Sequence, residues 1–128
     1  MTPFFQRVDD FNRMYGLPAP ATPTMISPVR LRQFKAMLLE EVAEGDSALD
    51  VADLADWLGD MIVYCASEAR RHGLPIEEVL HIIMDSNSSK LGADGTPIIN
   101  QETGKVEKGP NYWKPEPKIR TLLMEKMK

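Results

Sequence analysis

Residues 51–66 read VADLADWLGDMIVYCA, and this stretch decides the fold class of the chain. Its only charged residues are Asp53, Asp56 and Asp60, and its other positions are largely apolar around the whole helical circumference. A helix that is apolar on nearly all sides is typical of a protein interior. We therefore predict a buried central helix over residues 49–72.

Helical periodicity on both sides of this stretch predicts further helices over residues 3–15, 27–44, 76–86 and 117–128. Ser27 suits the N-cap of the second helix, Pro28 suits its first position, and Gly45 is expected to stop it. Residues 98–106 predict a small β-hairpin or an ordered loop. The fold class is therefore all-α, a bundle of four to five helices in one domain over residues 1–128.

Composition and charge exclude several classes of protein. The chain has 128 residues, one cysteine and a formal net charge of −4, so an internal disulfide, a cysteine-rich zinc site and general binding to DNA or RNA polymers are not expected. Its first residues lack the regions of a signal peptide, and no apolar run approaches the roughly 20 residues of a membrane span. We expect a cytoplasmic protein with no membrane partner.

Charge is unevenly distributed along the chain. No Lys or Arg lies between Lys35 and Arg70, whereas acidic residues recur throughout that interval. At 100° per residue, each of two sets of acids falls on one side of its helix. The first set is Glu40, Glu41 and Glu44, and the second is Asp53, Asp56 and Asp60.

The apolar setting of the three aspartates suggests a ligand. Buried carboxylates without partners cost several kcal/mol each, and the segment offers no basic residue to pair with them. Either raised pKa values or a bound cation would relieve that cost. All-oxygen ligands favour Mg²⁺, with Mn²⁺ as a second choice, over zinc or copper. The alternative is a solvated acidic face, which suits Asp46, Asp50 and Glu68.

Three other side chains of the central helix invite a choice between a structural and a functional role. Cys65 lies on the apolar helix and is expected to be a core residue rather than a nucleophile. Trp57 and Tyr64 are i, i+7 on the aspartate side of the helix. They could stack on a nucleobase, although aromatic residues at helical spacing more often belong to a core.

Three stretches of the sequence resemble the all-α nucleotide pyrophosphohydrolase superfamily, in particular its MazG-like and phosphoribosyl-ATP pyrophosphohydrolase-like members. They are LLEEVAEG at 38–45, the stretch from Asp53 to Val79, and SNSSKLGADGTPIINQETGKVEKGPNYWKP at 86–115. The resemblance implies a Mg²⁺-dependent hydrolase, a nucleotide pyrophosphohydrolase that converts a nucleoside triphosphate to a monophosphate and pyrophosphate.

The acid motifs of that superfamily match this chain only in part. Glu40-Glu41-x-x-Glu44 fits the Glu-Glu-x-x-Glu half of its hallmark. The second half, Glu-x-x-Asp, departs from the pattern, because Trp57 stands where a Glu is usual if Asp60 is the final acid. Alternatively, Asp53-x-x-Asp56 supplies the pattern with Asp in place of Glu. The resemblance implies that the metal ligands come from Glu40, Glu41, Glu44, Asp53, Asp56 and Asp60. Glu41 is also the expected catalytic residue, orienting or deprotonating the attacking water.

The resemblance further implies a set of substrate-binding residues. These are Asn87, Lys90, Lys108, Asn111 and Tyr112, with Trp57 as a possible stacking platform. Lysine offers a compact charge for a phosphate, and asparagine can both donate and accept hydrogen bonds.

Members of the superfamily share helices between subunits, so a homodimer, or a tetramer built as a dimer of dimers, is expected to complete the bundle. Two alternatives stay open. One is phosphoribosyl-ATP hydrolysis, and the other is a non-catalytic helical dimer that binds a nucleotide or a protein partner.

Overall fold

The computed structural model describes residues 1–128 and is all-α, as predicted. Its helices are α1 (Phe4–Met14), α2 (Pro28–Ala43), α3 (Val51–Arg71), α4 (Ile76–Ser88) and α5 (Glu116–Lys126). The only β pairing is an isolated antiparallel bridge between Ile99 and Val106, so the segment near the C-terminus is an ordered loop. None of the five helices carries an apolar stretch that could traverse a lipid bilayer.

The chain forms two compact units, Met1–Ile76 and Glu77–Lys128. The first holds α1, α2, α3 and the acidic segment, and the second holds nearly all of α4, the bridged loop and α5. The prediction of one domain over residues 1–128 stays a prediction, because compactness alone does not establish that a unit folds independently.

Local capping sets the ends of the two middle helices. The Ser27 hydroxyl accepts a hydrogen bond from the Arg30 amide at 3.0 Å, which confirms Ser27 as the N-cap of α2. Asp50 caps α3 in the same way, through the Asp53 amide at 2.8 Å. The α-helical part of α2 ends at Ala43, one residue before the predicted end, but helical turns continue through Gly45. A 3₁₀ turn over Glu44–Ser47 continues from α2.

The core of the first unit lies where α1 packs against the C-terminal half of α3. Its buried apolar residues are Val8, Ala66 and Ala69. Beside them, the Asn12 amide donates to the Ser67 carbonyl at 3.1 Å and accepts from the Ser67 hydroxyl at 2.8 Å. These paired hydrogen bonds let a polar side chain sit in the core without an unsatisfied group.

The prediction that α3 is buried along its whole length is wrong for the single chain. Val51 is 82% exposed and Ile62 is 61% exposed, because the packing of α1 and α2 against the helix leaves these positions uncovered. Cys65 is also exposed rather than part of the core, since it lies on the same uncovered face as Leu58 and Ile62. Leu80 of α4 is exposed as well.

A buried serine organises the second unit. The Ser86 hydroxyl donates to the Trp113 carbonyl at 2.8 Å, and the Trp113 amide donates to the Ser89 hydroxyl at 3.2 Å. The ammonium of Lys118 lies 3.9 Å from the centre of the Trp113 ring. These contacts hold the segment before α5 against the end of α4.

Candidate functional site

The acids of α2 and α3 come together at the N-terminal end of α3. The pKa of Glu44 is raised, first by the negative charge of Glu41 and further by those of Asp60 and Asp56. Such an effect requires carboxylates from both helices to lie close together. The structure thus brings together four of the six acids predicted from the sequence.

A cavity of about 250 Å³ opens beside these acids. Its lining comes from the 3₁₀ turn and the first turns of α3, and consists of Glu44, Ser47, Ala48, Asp53, Asp56, Trp57 and Asp60. Four of these seven side chains are carboxylates, so the cavity is a strongly acidic pocket that would attract a cation.

Glu41 differs from the other acids in its surroundings. It is half-buried, and its Oε2 atom is buried without a hydrogen-bond partner. A buried carboxylate oxygen that accepts nothing carries a desolvation cost, so it is poised to accept a hydrogen bond or to bind a cation. The charge of Glu41 also raises the pKa of Tyr64, with Asp60 and Glu44 adding to the effect.

Trp57, where the resemblance would place a glutamate, joins α3 to the end of α2. Its indole N–H donates to the Glu41 carbonyl at 2.8 Å. Its ring lies so close to Gly45 that a Cβ there would come within 2.5 Å of Cζ2. This half-buried side chain therefore fixes the backbone that carries Glu41, while its role in stacking on a base stays a prediction.

Of the two remaining acids, only Asp53 lines the acidic cavity. Glu40 is exposed and does not line the acidic cavity. Asp53 lines it but also accepts a hydrogen bond from the Leu49 amide at 3.0 Å, which helps to close the start of α3. The structure thus gives Asp53 a capping role that its place in the motif did not indicate.

The acids do not form a preassembled metal centre. No group of three or more His, Cys, Asp or Glu side chains has the spacing to hold a metal ion. Asp53, Asp56 and Asp60 are exposed in the single chain, so the predicted burial of the aspartates is wrong at this level of assembly. They lie on the half of α3 that α1 leaves uncovered. Which of the six acids bind metal stays a prediction.

Glu68 is the acid whose surroundings differ most from expectation. It was expected on a solvated face, yet it is 7% exposed and accepts hydrogen bonds from Arg30 of α2. The structure places it at the packed end of α3, where Arg30 of α2 and the basic residues Arg71 and His72 at the end of α3 itself surround it. The partner residue is 38 positions away in the chain, so no local signal could have found it.

An apolar cavity of about 410 Å³ lies between α1, α2 and α3. It is lined by Phe11, Tyr15, Leu17, Arg30, Phe34, Met37, Val63, Tyr64, Ser67, Glu68 and Arg71. Tyr64 belongs to this lining, and the charge of Glu41 acts on it. The apolar cavity therefore adjoins the acidic cluster.

The predicted substrate-binding residues of the second unit lie close to one another. The Lys90 amide is hydrogen-bonded to the Asn87 carbonyl at 3.2 Å, and the Gly109 amide to the Lys90 carbonyl at 2.8 Å. A Cβ at Gly109 would collide with the Leu91 carbonyl, so glycine permits this approach.

Beside Gly109, the Lys108 ammonium lies 5.1 Å from the centre of the Tyr112 ring. Asn111 is exposed in the same turn. The role of these residues in binding a nucleotide stays a prediction.

Comparison with known proteins supports the fold. No protein-family model matches the chain, and no curated protein matches it. Among solved structures, it is similar to a "putative NTP pyrophosphohydrolase" from Exiguobacterium sp. 255-15, with a TM-score of 0.52 and 20% sequence identity. The match covers 99% of this chain and 98% of that one. At this identity the likeness establishes a shared all-α fold.

Proposed function

We propose that this protein is a divalent-cation-dependent nucleoside triphosphate pyrophosphohydrolase, which releases a nucleoside monophosphate and pyrophosphate. The observation that carries the proposal is the convergence of Glu41, Glu44, Asp56 and Asp60 from two helices beside one acidic cavity. The fold shared with the Exiguobacterium protein is consistent with it.

The donor chemistry fits a hard divalent cation. The side-chain ligand atoms there are oxygens, from the carboxylates and from the Ser47 hydroxyl, which suits Mg²⁺, or Mn²⁺, and not a soft metal. The buried, unpartnered Oε2 of Glu41 is an oxygen that such an ion would satisfy. Like-charged carboxylates also repel one another, so a cation would draw together acids that stand apart. Mg²⁺ at this place would neutralise phosphate charge and lower the pKa of a bound water.

The protein's own contribution would be to orient water and substrate. Glu41 Oε2 can accept a hydrogen bond, and then a proton, from the attacking water. Trp57 would keep that carboxylate in position through the backbone hydrogen bond to Glu41. Phosphoryl transfer depends mainly on positioning and electrostatics, so it needs no nucleophilic side chain.

The apolar cavity next to the acids would hold the nucleoside. Its volume falls within the range of small-molecule sites, and its aromatic residues offer surfaces for a base. Tyr64 belongs to both regions. A triphosphate at the acids would thus leave its nucleoside next to Phe11, Tyr15 and Phe34.

We further propose that a second copy of this chain covers the open face of α3. A predominantly apolar helix has its first half exposed, and only three apolar residues of the chain are buried. That is a small core for 128 residues. Size-exclusion chromatography with light scattering would give a dimer or tetramer. Ile62→Lys would shift it toward monomer, whereas Met127→Lys at the exposed C-terminus would not.

Pyrophosphate release from a panel of NTPs and dNTPs with Mg²⁺ tests the proposed activity. We expect turnover by the wild type, loss of at least a hundredfold in Glu41→Gln, and near-normal turnover in Asp46→Asn, an acid outside the cluster. If a folded wild-type protein turns over no nucleotide in the panel, the enzymatic proposal is wrong and a non-catalytic role is favoured.

A further inference from the structure

One buried carboxylate at the C-terminal end of α3 faces three basic side chains. Glu68 receives two hydrogen bonds from Arg30, at 3.0 and 2.5 Å, and its Oε2 lies 2.8 Å from His72 Nε2. The third basic residue, Arg71, approaches Glu68 only to 4.0 Å. The Glu68 side chain is 9% exposed, so these charges interact in a largely dry environment.

Arg71 is the member of this group that the protein leaves unsatisfied. Its Nε is buried and has no hydrogen-bond partner, and its side chain is only 20% exposed. A separation of 4.0 Å from Glu68 is beyond hydrogen-bonding distance. The preceding residue provides a contrast, because Arg70 donates two hydrogen bonds to Asp9, at 2.6 and 3.1 Å. The Nε–H of Arg71 is therefore a donor whose hydrogen-bonding capacity is not met within the chain.

A polar cavity of about 630 Å³ lies beside this guanidinium. Its polar lining residues are Thr24, Ser27, Arg30, Gln33, Arg71 and His72. Every one of them can donate a hydrogen bond, and no carboxylate is among them. The guanidinium groups of Arg30 and Arg71 line the cavity, and the Glu68 carboxylate lies next to Arg30. When His72 is neutral, these three groups carry a net charge of +1.

The wall of the cavity is firmly attached to the end of α3. The Thr24 amide donates to the His72 carbonyl at 2.8 Å. Gly73 has a φ of +67°, and a Cβ there would come within 2.5 Å of the Thr22 carbonyl oxygen. The connector between α1 and α2 is therefore packed tightly against the residues that carry the positive charge.

We propose that this cavity binds the phosphate group of a small molecule, with Arg71 as the principal ligand. A guanidinium donates to an oxyanion in a planar, two-pronged geometry, and a phosphate dianion matches an excess of positive charge better than a neutral ligand does. The site is separate from the acidic cluster. The polar cavity shares no lining residue with the acidic cavity, and Arg71 follows Asp60 by roughly 16 Å of helix. It shares Arg30 and Arg71 with the apolar cavity. The proposal does not depend on the proposed enzymatic activity.

Isothermal titration calorimetry on the full chain, with EDTA present, tests the site without the chemistry of the acidic cluster. Inorganic phosphate, adenosine monophosphate and acetate are titrated separately. We expect saturable binding of the two phosphates and none of acetate. Tighter binding of the monophosphate than of inorganic phosphate would identify a nucleotide as the ligand, and equal binding would identify the free ion.

Two variants of Arg71 and one control assign the binding to this residue. Arg71→Gln is expected to weaken phosphate binding about tenfold or more, since it removes a charge-assisted pair of hydrogen bonds. Arg71→Lys keeps the charge without the planar fork and should bind with intermediate affinity. Arg32→Gln, an exposed arginine on α2, should bind like the wild type.

Several results would overturn the proposal. These are an absence of saturable phosphate binding, acetate binding as tightly as phosphate, and wild-type phosphate affinity in a folded Arg71→Gln. If Arg71→Gln raised KM for a nucleotide yet left phosphate binding in EDTA unchanged, Arg71 would belong to the nucleoside cavity instead. Far-UV circular dichroism of each variant verifies that it is folded.

Discussion

The indole N–H of Trp57 donates a 2.8 Å hydrogen bond to the backbone carbonyl of Glu41, linking α3 to the last turn of α2. Glu41 carries the buried, unpartnered oxygen of the acidic cluster. The tryptophan that interrupts the second acid motif thus supports the most important residue of the first. The residue that departs from the expected motif therefore holds the backbone of Glu41 in place.

Trp57→Phe should separate this hydrogen bond from the packing of the ring. It removes the donor and retains most of the aromatic volume, so we expect a loss of about 1 kcal/mol in the free energy of unfolding. Trp57→Ala also removes the packing and should lose clearly more. Urea denaturation followed by circular dichroism measures both. Equal stability of the wild type and Trp57→Phe would mean that the hydrogen bond contributes nothing.

Gly45 provides a second test of the same contact. A Cβ at this position would lie 2.5 Å from Trp57 Cζ2, so Gly45→Ala should destabilise the protein by about 1–3 kcal/mol. The matched control is Gly59→Ala within α3, where no atom lies within 4 Å of the new Cβ. That change should stabilise the helix by about 0.5–1 kcal/mol. Similar effects at the two glycines would contradict the packing described for Trp57.

Glu68→Gln should be among the most destabilising single changes in the chain. It leaves Arg30 without its carboxylate in a largely buried setting, for which a loss of about 3–5 kcal/mol is typical. Glu116→Gln breaks an exposed pair with Arg120 and should change stability by less than about 1 kcal/mol. Thermal and urea unfolding of both variants compare the two pairs.

The stability contributed by Glu68 should depend on pH. Burial works to raise the pKa of this carboxyl, but the hydrogen bonds from Arg30 and His72 and the charges of Arg30 and Arg71 lower it below the usual 4.5. A lowered pKa in the folded state stabilises the protein fully above pH 4.5, and this contribution is lost as the pH falls from 4.5 through the lower pKa of the folded state.

The difference in unfolding free energy between the wild type and Glu68→Gln measures this effect, because the other acids titrate in both proteins. It should shrink as the pH falls below about 4.5. A difference that grows as the solution is acidified would mean that the sign of the pKa shift is wrong.

Removing one charge from the acidic cluster should stabilise the fold but weaken the binding of Mg²⁺. The charges of Asp60 and Asp56 contribute to raising the pKa of Glu44, so these groups repel one another. Without a divalent cation, Asp60→Asn should therefore raise Tm. Added Mg²⁺ should raise the Tm of the wild type, since an ion that binds only the folded state stabilises it, and should do so less in Asp60→Asn. An identical response to Mg²⁺ in both proteins would exclude Asp60 as a ligand.

Features that act within one helical turn could be read from the sequence. The Ser27 cap, the Pro28 start and the periodicity of α1 predicted helices close to those observed. The same periodicity put the acids of each helix on one side, and the structure brings together Glu41, Glu44, Asp56 and Asp60. These signals are local, because capping and side-chain spacing involve residues three or four positions apart.

Tertiary structure alone decided which distant groups meet and which faces are covered. Glu68 is hydrogen-bonded to Arg30, which lies 38 positions away in the chain, and Trp57 to the Glu41 carbonyl, which lies 16 positions away. Cys65 and the first half of α3 are exposed although their apolar surroundings predicted burial. An apolar pattern in the sequence indicates that a helix face is to be buried. Which element buries that face depends on how the helices pack, within one chain or between two chains.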